Sequence, residues 1–151
     1  MPVKRRTSAY PGEPEADDLR AIAKMWLEMG WQAGDAAVVD KLHAEDFVDH
    51  GAAGRNPDNQ GFKDGILQLY KAFPDFFAHT DDLVVDAMAS KVALRWHATG
   101  THSGTFMGFR ASGKSIKFNG IEIIRIADGR IQERWGEWDG EVLINQLRAI
   151  T

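Results

Sequence analysis

Glu122 lies between two isoleucines in FNGIEIIRI, and His97 and His102 lie five residues apart in RWHATGTHSGTFMG. Imidazole and carboxylate groups set among strand-forming residues are candidates for general acid–base work, because an imidazole titrates near neutral pH and burial raises a carboxylate toward it. ERWGEWDG adds Glu137 and Asp139 beside tryptophans, and FVDHG places Asp49 and His50 ahead of a glycine-rich stretch. Adjacent side chains diverge, so the Asp49–His50 pair is a weak local signal. Alternation of side chains along a strand sorts these groups by face. Val92, Leu94, Trp96 and Ala98 share one face, and Arg95, His97 and Thr99 the other. His102 falls on the Trp96 face unless Gly100 hosts a bulge, and it reads equally as a pocket residue or a loop residue. His97 is expected to face solvent or a subunit partner.

Glu122 shares its face with Phe118, Gly120, Ile124 and Ile126, opposite Asn119, Ile121, Ile123 and Arg125. Each face carries one charged group, so the apolar residues do not choose between them. Facing an apolar pocket, Glu122 would gain a raised pKa and serve as a general acid or base. Facing outward, it would pair across the sheet with Arg134 or Lys117. Both readings stand at this point. On the following segment Glu133, Trp135, Glu137 and Asp139 share one face, and Arg134, Gly136 and Trp138 the other. Trp135 and Trp138 suit a core or a dimer surface better than ligand stacking, and Asp139 is placed to cap the last helix.

Other chemistries find no support. The chain has no cysteine, which excludes disulfides, cysteine-based zinc sites and thiol catalysis. Histidines 43, 50, 79, 97 and 102 fit no compact metal spacing, so no metal site is expected. There is no nucleophile elbow, phosphate loop or dinucleotide fingerprint. A net charge of −4, with KRR at 4–6 as the one basic run, gives no pull toward nucleic acid. No apolar run reaches the length of a membrane span, and no signal-peptide pattern is legible, so a cytoplasmic protein without membrane contact is expected.

The elements that must position these groups follow from periodicity. At 151 residues the chain is long enough for one domain with a real core. Residues 1–16 read as a flexible arm and 17–151 as a single domain. Leu19, Ile22, Ala23, Trp26 and Met29 predict a helix over 17–33, stopped by Gly34. Asp35 caps a short helix carrying Ala36, Val38, Val39 and Leu42. HAEDFVDHGAAGRNPDNQG reads as loop, anchored by Phe47 and Val48. Phe62, Ile66, Leu69 and Phe73 predict a third helix ended by Pro74. From there the period drops to two, and DDLVVDAM, KVALRWHATG, SIKFNGIEIIRI and IQERWGEW predict strands, the last two joined through Asp128-Gly129. Val142–Ile150 closes the chain as a short helix. Helices followed by antiparallel strands define an α+β domain.

The order FVDHG, GFKDGILQLYKAFPDF, then the run from DDLVVDAM through RIADGRIQERWGEWD, then LINQL resembles the SnoaL-like polyketide cyclase (ester cyclase) family of the nuclear-transport-factor-two-like superfamily. The similarity spans Leu19 to Leu147. It implies a curved, mostly antiparallel sheet with N-terminal helices, forming an α+β cone-shaped barrel around an apolar cavity, and a homodimer paired through the sheet. The cavity makes Trp96, Phe106, Met107, Phe118 and Trp135 candidate contacts for a small apolar ligand. Cyclases of this family close a ring by an intramolecular aldol reaction without metal or cofactor. They use an aspartate on the last strand and a histidine on the preceding one. Aligned on RIADGRI and Asp139, this chain has Gly136 at the aspartate position, Glu137 beside it, and Glu122 at the histidine position. Two functions follow from the resemblance. One is a cofactor-independent lyase-, isomerase- or aldol-type enzyme in which Glu122 moves the proton and His102 and His50 polarise a carbonyl. The other is a non-catalytic binding protein. A bulge turning Glu137 inward would favour the enzyme; a regular strand would favour binding or chemistry based on Glu122.

Overall fold

The structure, a computed structural model, describes residues 16–148. The arm expected over 1–16 lies outside the described residues except for Ala16, which opens helix α1, Ala16–Trp26. Leu19, Ala23 and Trp26 form its buried stripe, at the i, i+4, i+7 spacing of one helical face. The helix continues as a π-helical turn, Leu27–Gln32, and Gly34 leaves it at φ 67°, a conformation suited to glycine. Helix α2, Val38–Leu42, follows, with the Asp35 carboxylate accepting from the Ala37 N–H at 3.0 Å.

The stretch read as loop after α2 opens with a strand. β1, His43–Asp49, runs parallel to the last strand of the sheet. Its irregular register between His43 and Val48 blurs the period of two, and its polar residues hide it further. Phe47 is buried as expected of an anchor, whereas Val48 is 38% exposed. Helix α3, Asn59–Ala72, is capped by Asp58, whose side chain accepts from the Gly61 N–H at 2.8 Å. Phe62 and Ile66 are its fully buried anchors.

Strands β2 (Phe77–Asp86), β3 (Lys91–Thr101), β4 (Ser115–Ala127) and β5 (Arg130–Trp138) form antiparallel hairpins, and α4, Gly140–Arg148, closes the described chain. Asp128 and Gly129 turn the β4–β5 hairpin at φ 53° and 71°, the two-residue turn anticipated from DG. Asp139 caps α4, accepting from the Val142 N–H at 3.1 Å. The sheet order is β1-β5-β4-β3-β2, and the sheet is curved but not closed.

One face of this α+β sheet is buried. Val92, Leu94 and Ala98 of β3 and Phe118, Glu122, Ile124 and Ile126 of β4 all lie on it. β3 pairs with β4 without interruption from Lys91 to Thr101, so Gly100 carries no bulge. Gly120 faces Trp96 across this ladder, and a Cβ at Gly120 would run into the indole. Gly120→Ala is therefore expected to push Trp96 from its rotamer and cost about 1–3 kcal/mol, read as a lower urea midpoint. An unchanged midpoint would show that the ring yields freely.

Candidate active site

Glu122 and Arg134 carry the most concentrated buried charge on the inner face. Regular β4–β5 pairing sets Ile124 opposite Arg134 and Glu122 opposite Gly136, so all four side-chain positions point inward. Arg134 Nε donates to Glu122 Oε2 at 2.6 Å, and Arg134 Nη1 donates to Asp49 Oδ1 at 3.0 Å. Trp26 Nε1 donates to Glu122 Oε1 at 3.3 Å. Asp49 also accepts from the Gly51 N–H at 3.0 Å and from Arg55 at 3.4 Å. The guanidinium of Arg134 lies 5.3 Å from the Phe62 ring centre. Glu122 and Asp49 are 1% and 2% exposed; only paired and hydrogen-bonded charges persist at such depth. Burial alone would lower the Arg134 pKa, but Glu122 and then Asp49 outweigh it and hold that pKa above its ordinary value.

Glu122 therefore faces inward, as one reading of the sequence had it, yet its surroundings are not the apolar pocket of that reading. Both of its oxygens are engaged, one by the cross-strand arginine of the alternative reading. Gly136 is opposite it, and a Cβ there would collide with the Arg134 guanidinium. The space beside the expected aspartate position is filled by arginine.

Glu137 lies on the outer face, exposed, opposite Ile121. The β4–β5 irregularity falls at Arg125/Ile126, too far back along the strand to turn it inward. His50 is also outside: its ring stacks on Trp135 at 4.9 Å and 9°, and its Nε2 lies 3.2 Å from Glu133. Trp135 thus belongs to an outer-face group that includes Lys91, 4.9 Å from its ring.

His102 is inward and fully buried, but it is eight residues beyond Leu94, the cross-strand partner of Glu122. At about 3.3 Å per residue that is roughly 26 Å along the strand. It belongs to the far end of the sheet, where its ring packs 5.6 Å from Phe73 and its Nδ1 meets Ser112 Oγ at 3.0 Å. The sheet thus separates Glu122, His102 and His50, which had been grouped as one catalytic set. Among the ligand candidates, Trp96 and Phe118 share the inner face, edge to face at 5.6 Å. Phe106 packs on Phe73 at 5.1 Å, and Met107 is half exposed at a turn with φ 50°. An open groove of about 390 Å³ lies among Asp75, Thr99, Gly100, Thr101, Ser115, Ile116, Lys117 and Gln146; its mixed polar and apolar lining contains none of the Glu122 network.

The network enlists residues that periodicity and spacing left outside the expected catalytic set. Trp26 read as core, Arg134 as a surface partner, and Asp49 as one half of a weak pair. His43, 1% exposed, packs its ring 4.6 Å from Trp26, 4.0 Å from Phe47 and 5.5 Å from Phe62. Burial, against a raising hydrogen bond from Asn59, pushes its pKa down to about 4. Alternation in FVDHG could have revealed Asp49, since Phe47 and Asp49 turn inward together.

Comparison with known proteins gives a consistent result. A family model for SnoaL-like polyketide cyclases matches residues 21–147. The aklanonic acid methyl ester cyclase DnrD of Streptomyces peucetius is 28% identical over 108 residues, 68% of this chain and 73% of that protein. The cyclase of the same name from Streptomyces sp. strain C5, DauD, is 24% identical over 132 residues, 84% and 78% of the two chains. IdmH of Streptomyces antibioticus superposes with a TM-score of 0.74 at 30% identity, covering 87% of this chain and 99% of its own. TsrD of Streptomyces laurentii, at 24% identity, reaches a TM-score of 0.80 over 91% of this chain and all of its own, a likeness of fold alone.

Proposed function

Because the chain belongs to the SnoaL-like polyketide cyclase family, we propose that it performs cofactor-independent acid–base chemistry on a small, largely apolar carbonyl compound. Glu122 moves the proton. Arg134 holds Glu122 in place and supplies positive charge where negative charge develops on the carbonyl oxygen, the most general source of transition-state stabilisation. The observation that carries this reading is the inward-facing Glu122, held by Arg134 at 2.6 Å and by Trp26 at 3.3 Å. Fixing a carboxylate from two sides restricts its orientation before substrate arrives. Trp96 and Phe118, on the same face, are the ligand contacts in this reading. The exposed Val84, Ile121 and Ile123, with Ile121 and Ile123 on the outer face of β4, support pairing of two copies through that face as part of it.

Aklanonic acid methyl ester, named for the two curated relatives, is the first substrate to try, with other small cyclisable carbonyl esters beside it. Glu122→Gln keeps the shape and removes the titrating group; turnover should fall by about 10²–10⁴-fold while ligand affinity stays within a few fold. Glu137→Gln, on the outer face, should keep full activity. Undiminished turnover in Glu122→Gln would refute the assignment.

A binding protein is the second reading, favoured by the regular strand that leaves Glu137 outside and glycine at position 136. It predicts saturable binding of the same esters with no turnover by the unmodified chain.

A further inference from the structure

His43 has one nitrogen whose role the fold explains and one whose role it does not. Asn59 Nδ2 donates to the Ala44 carbonyl at 2.8 Å and the Glu45 carbonyl at 3.4 Å, which orients its amide. Asn59 Oδ1 then faces His43 Nδ1 at 3.1 Å. A carbonyl oxygen only accepts, so the proton of the neutral ring resides on Nδ1. Among the described residues, Nε2 is left as a bare lone pair, buried and without a partner. Such an atom forfeits the hydrogen bond it had in water, at a cost native proteins rarely leave uncompensated.

The position of that lone pair is informative. The ring is walled by Trp26, Phe47 and Phe62, and two of those walls also serve the acid–base network. Trp26 hydrogen-bonds Glu122, and Arg134 lies over Phe62. The π-helical turn begins at the residue after Trp26, and such turns recur at functional sites. A cationic donor is disfavoured because the Arg134 charge already acts against positive charge on this ring. A neutral O–H on a flat ring satisfies the lone pair and suits the aromatic walls.

We propose that His43 Nε2 is the recognition group for a hydroxyl on the ligand of the Glu122–Arg134 site, selecting phenolic or enolic compounds over their ethers. This rests on the functional reading above and adds a specificity residue to it. The ring accepts a hydrogen bond; the proton that reacts is moved by Glu122.

The probe pair is 1-naphthol and 1-methoxynaphthalene, with the full chain labelled with ¹⁵N. Naphthol should move the His43 Nε2 resonance upfield, as hydrogen bonding does to a bare ring nitrogen, and leave Nδ1 nearly unchanged; the methyl ether should not. Naphthol should also bind about tenfold tighter than the ether, the worth of one hydrogen bond. In His43→Phe, which keeps an aromatic ring among Trp26, Phe47 and Phe62, that preference should fall to about onefold. Naphthol that fails to bind, binds without moving Nε2, or keeps its advantage in His43→Phe would overturn the proposal. Should the variant not fold, the Nε2 resonance of the unmodified chain decides alone. Failure of the catalytic reading leaves a different mark: the Nε2 shift persists while Glu122→Gln has no effect on turnover.

Discussion

Arg134→Met is expected to cost about 3–5 kcal/mol of folding stability, a large share of the 5–15 kcal/mol typical of a domain. The reason is what the substitution leaves behind. Arg134 is 8% exposed and neutralises two carboxylates, Glu122 and Asp49, that are all but inaccessible to water. Without it, among the described residues, Glu122 keeps only the 3.3 Å contact from Trp26, and Asp49 keeps the Gly51 N–H and a 3.4 Å contact from Arg55. Glu122 is then left without a counter-charge and Asp49 with only the longer Arg55 pair, so two anions share one cation in a space sized for a second guanidinium. The pair itself need not be a net gain over an apolar core, because ionic desolvation consumes most of the Coulomb attraction. The loss therefore comes from stranding the two carboxylates, not from removing a net attraction. Combining Arg134→Met with Asp49→Asn and Glu122→Gln removes the stranded charges and should restore much of the loss. Urea unfolding at pH 7 reads all three proteins. A loss below about 1 kcal/mol in the single variant, or no recovery in the triple, would mean that these charges are solvated in solution.

The same network shows why fold and site were unequally legible in the sequence. The β3, β4 and β5 segments alternate cleanly, and the Asp128-Gly129 turn fixes the pairing of β4 with β5. The inner-face set Phe118, Glu122, Ile124 and Ile126 was thus readable as a set, though not which way it faced. Direction came from elements far away in sequence: Trp26 on α1 and Asp49 on β1 supply the partners that make an inward Glu122 tolerable. β1 itself was hidden, because an edge strand with an irregular register shows little period of two. His102 and Glu122 share a face by parity, and parity carries no information about the roughly 26 Å of strand between them. Face is a local property of a strand; proximity across a sheet depends on register, which only the paired structure supplies.

Acid should expose His43 before it exposes the carboxylates. In the unfolded chain this histidine titrates near 6.5; in the fold, burial, partly opposed by Asn59, holds it down to about 4, with Arg134 lowering it further and Asp49 and Asp40 raising it. A folded-state pKa below the unfolded one means that, as pH falls, the unfolded chain takes up a proton that the folded chain refuses. The stability this ring confers is complete above pH 6.5 and declines until about pH 4, where the folded form protonates as well. The gap of roughly two and a half units corresponds to about 3 kcal/mol at 1.36 kcal/mol per unit, with about 2 kcal/mol lost by pH 5. Asp75, Asp81 and Glu133, whose pKa values are lowered by hydrogen bonds to Thr101, His97 and Arg125, lose their contributions only below the ordinary carboxylate range, so the upper window is free of them. His43→Phe removes the titration and leaves Asn59 Oδ1 unpaired at every pH, a constant offset that cancels between two pH values. Urea unfolding at pH 7 and pH 5 should show the unmodified chain losing about 2 kcal/mol more than the variant. Equal losses in the two proteins would mean that the imidazole takes up its proton inside the fold, with Nε2 reaching water or a carboxylate that the folded structure keeps from it.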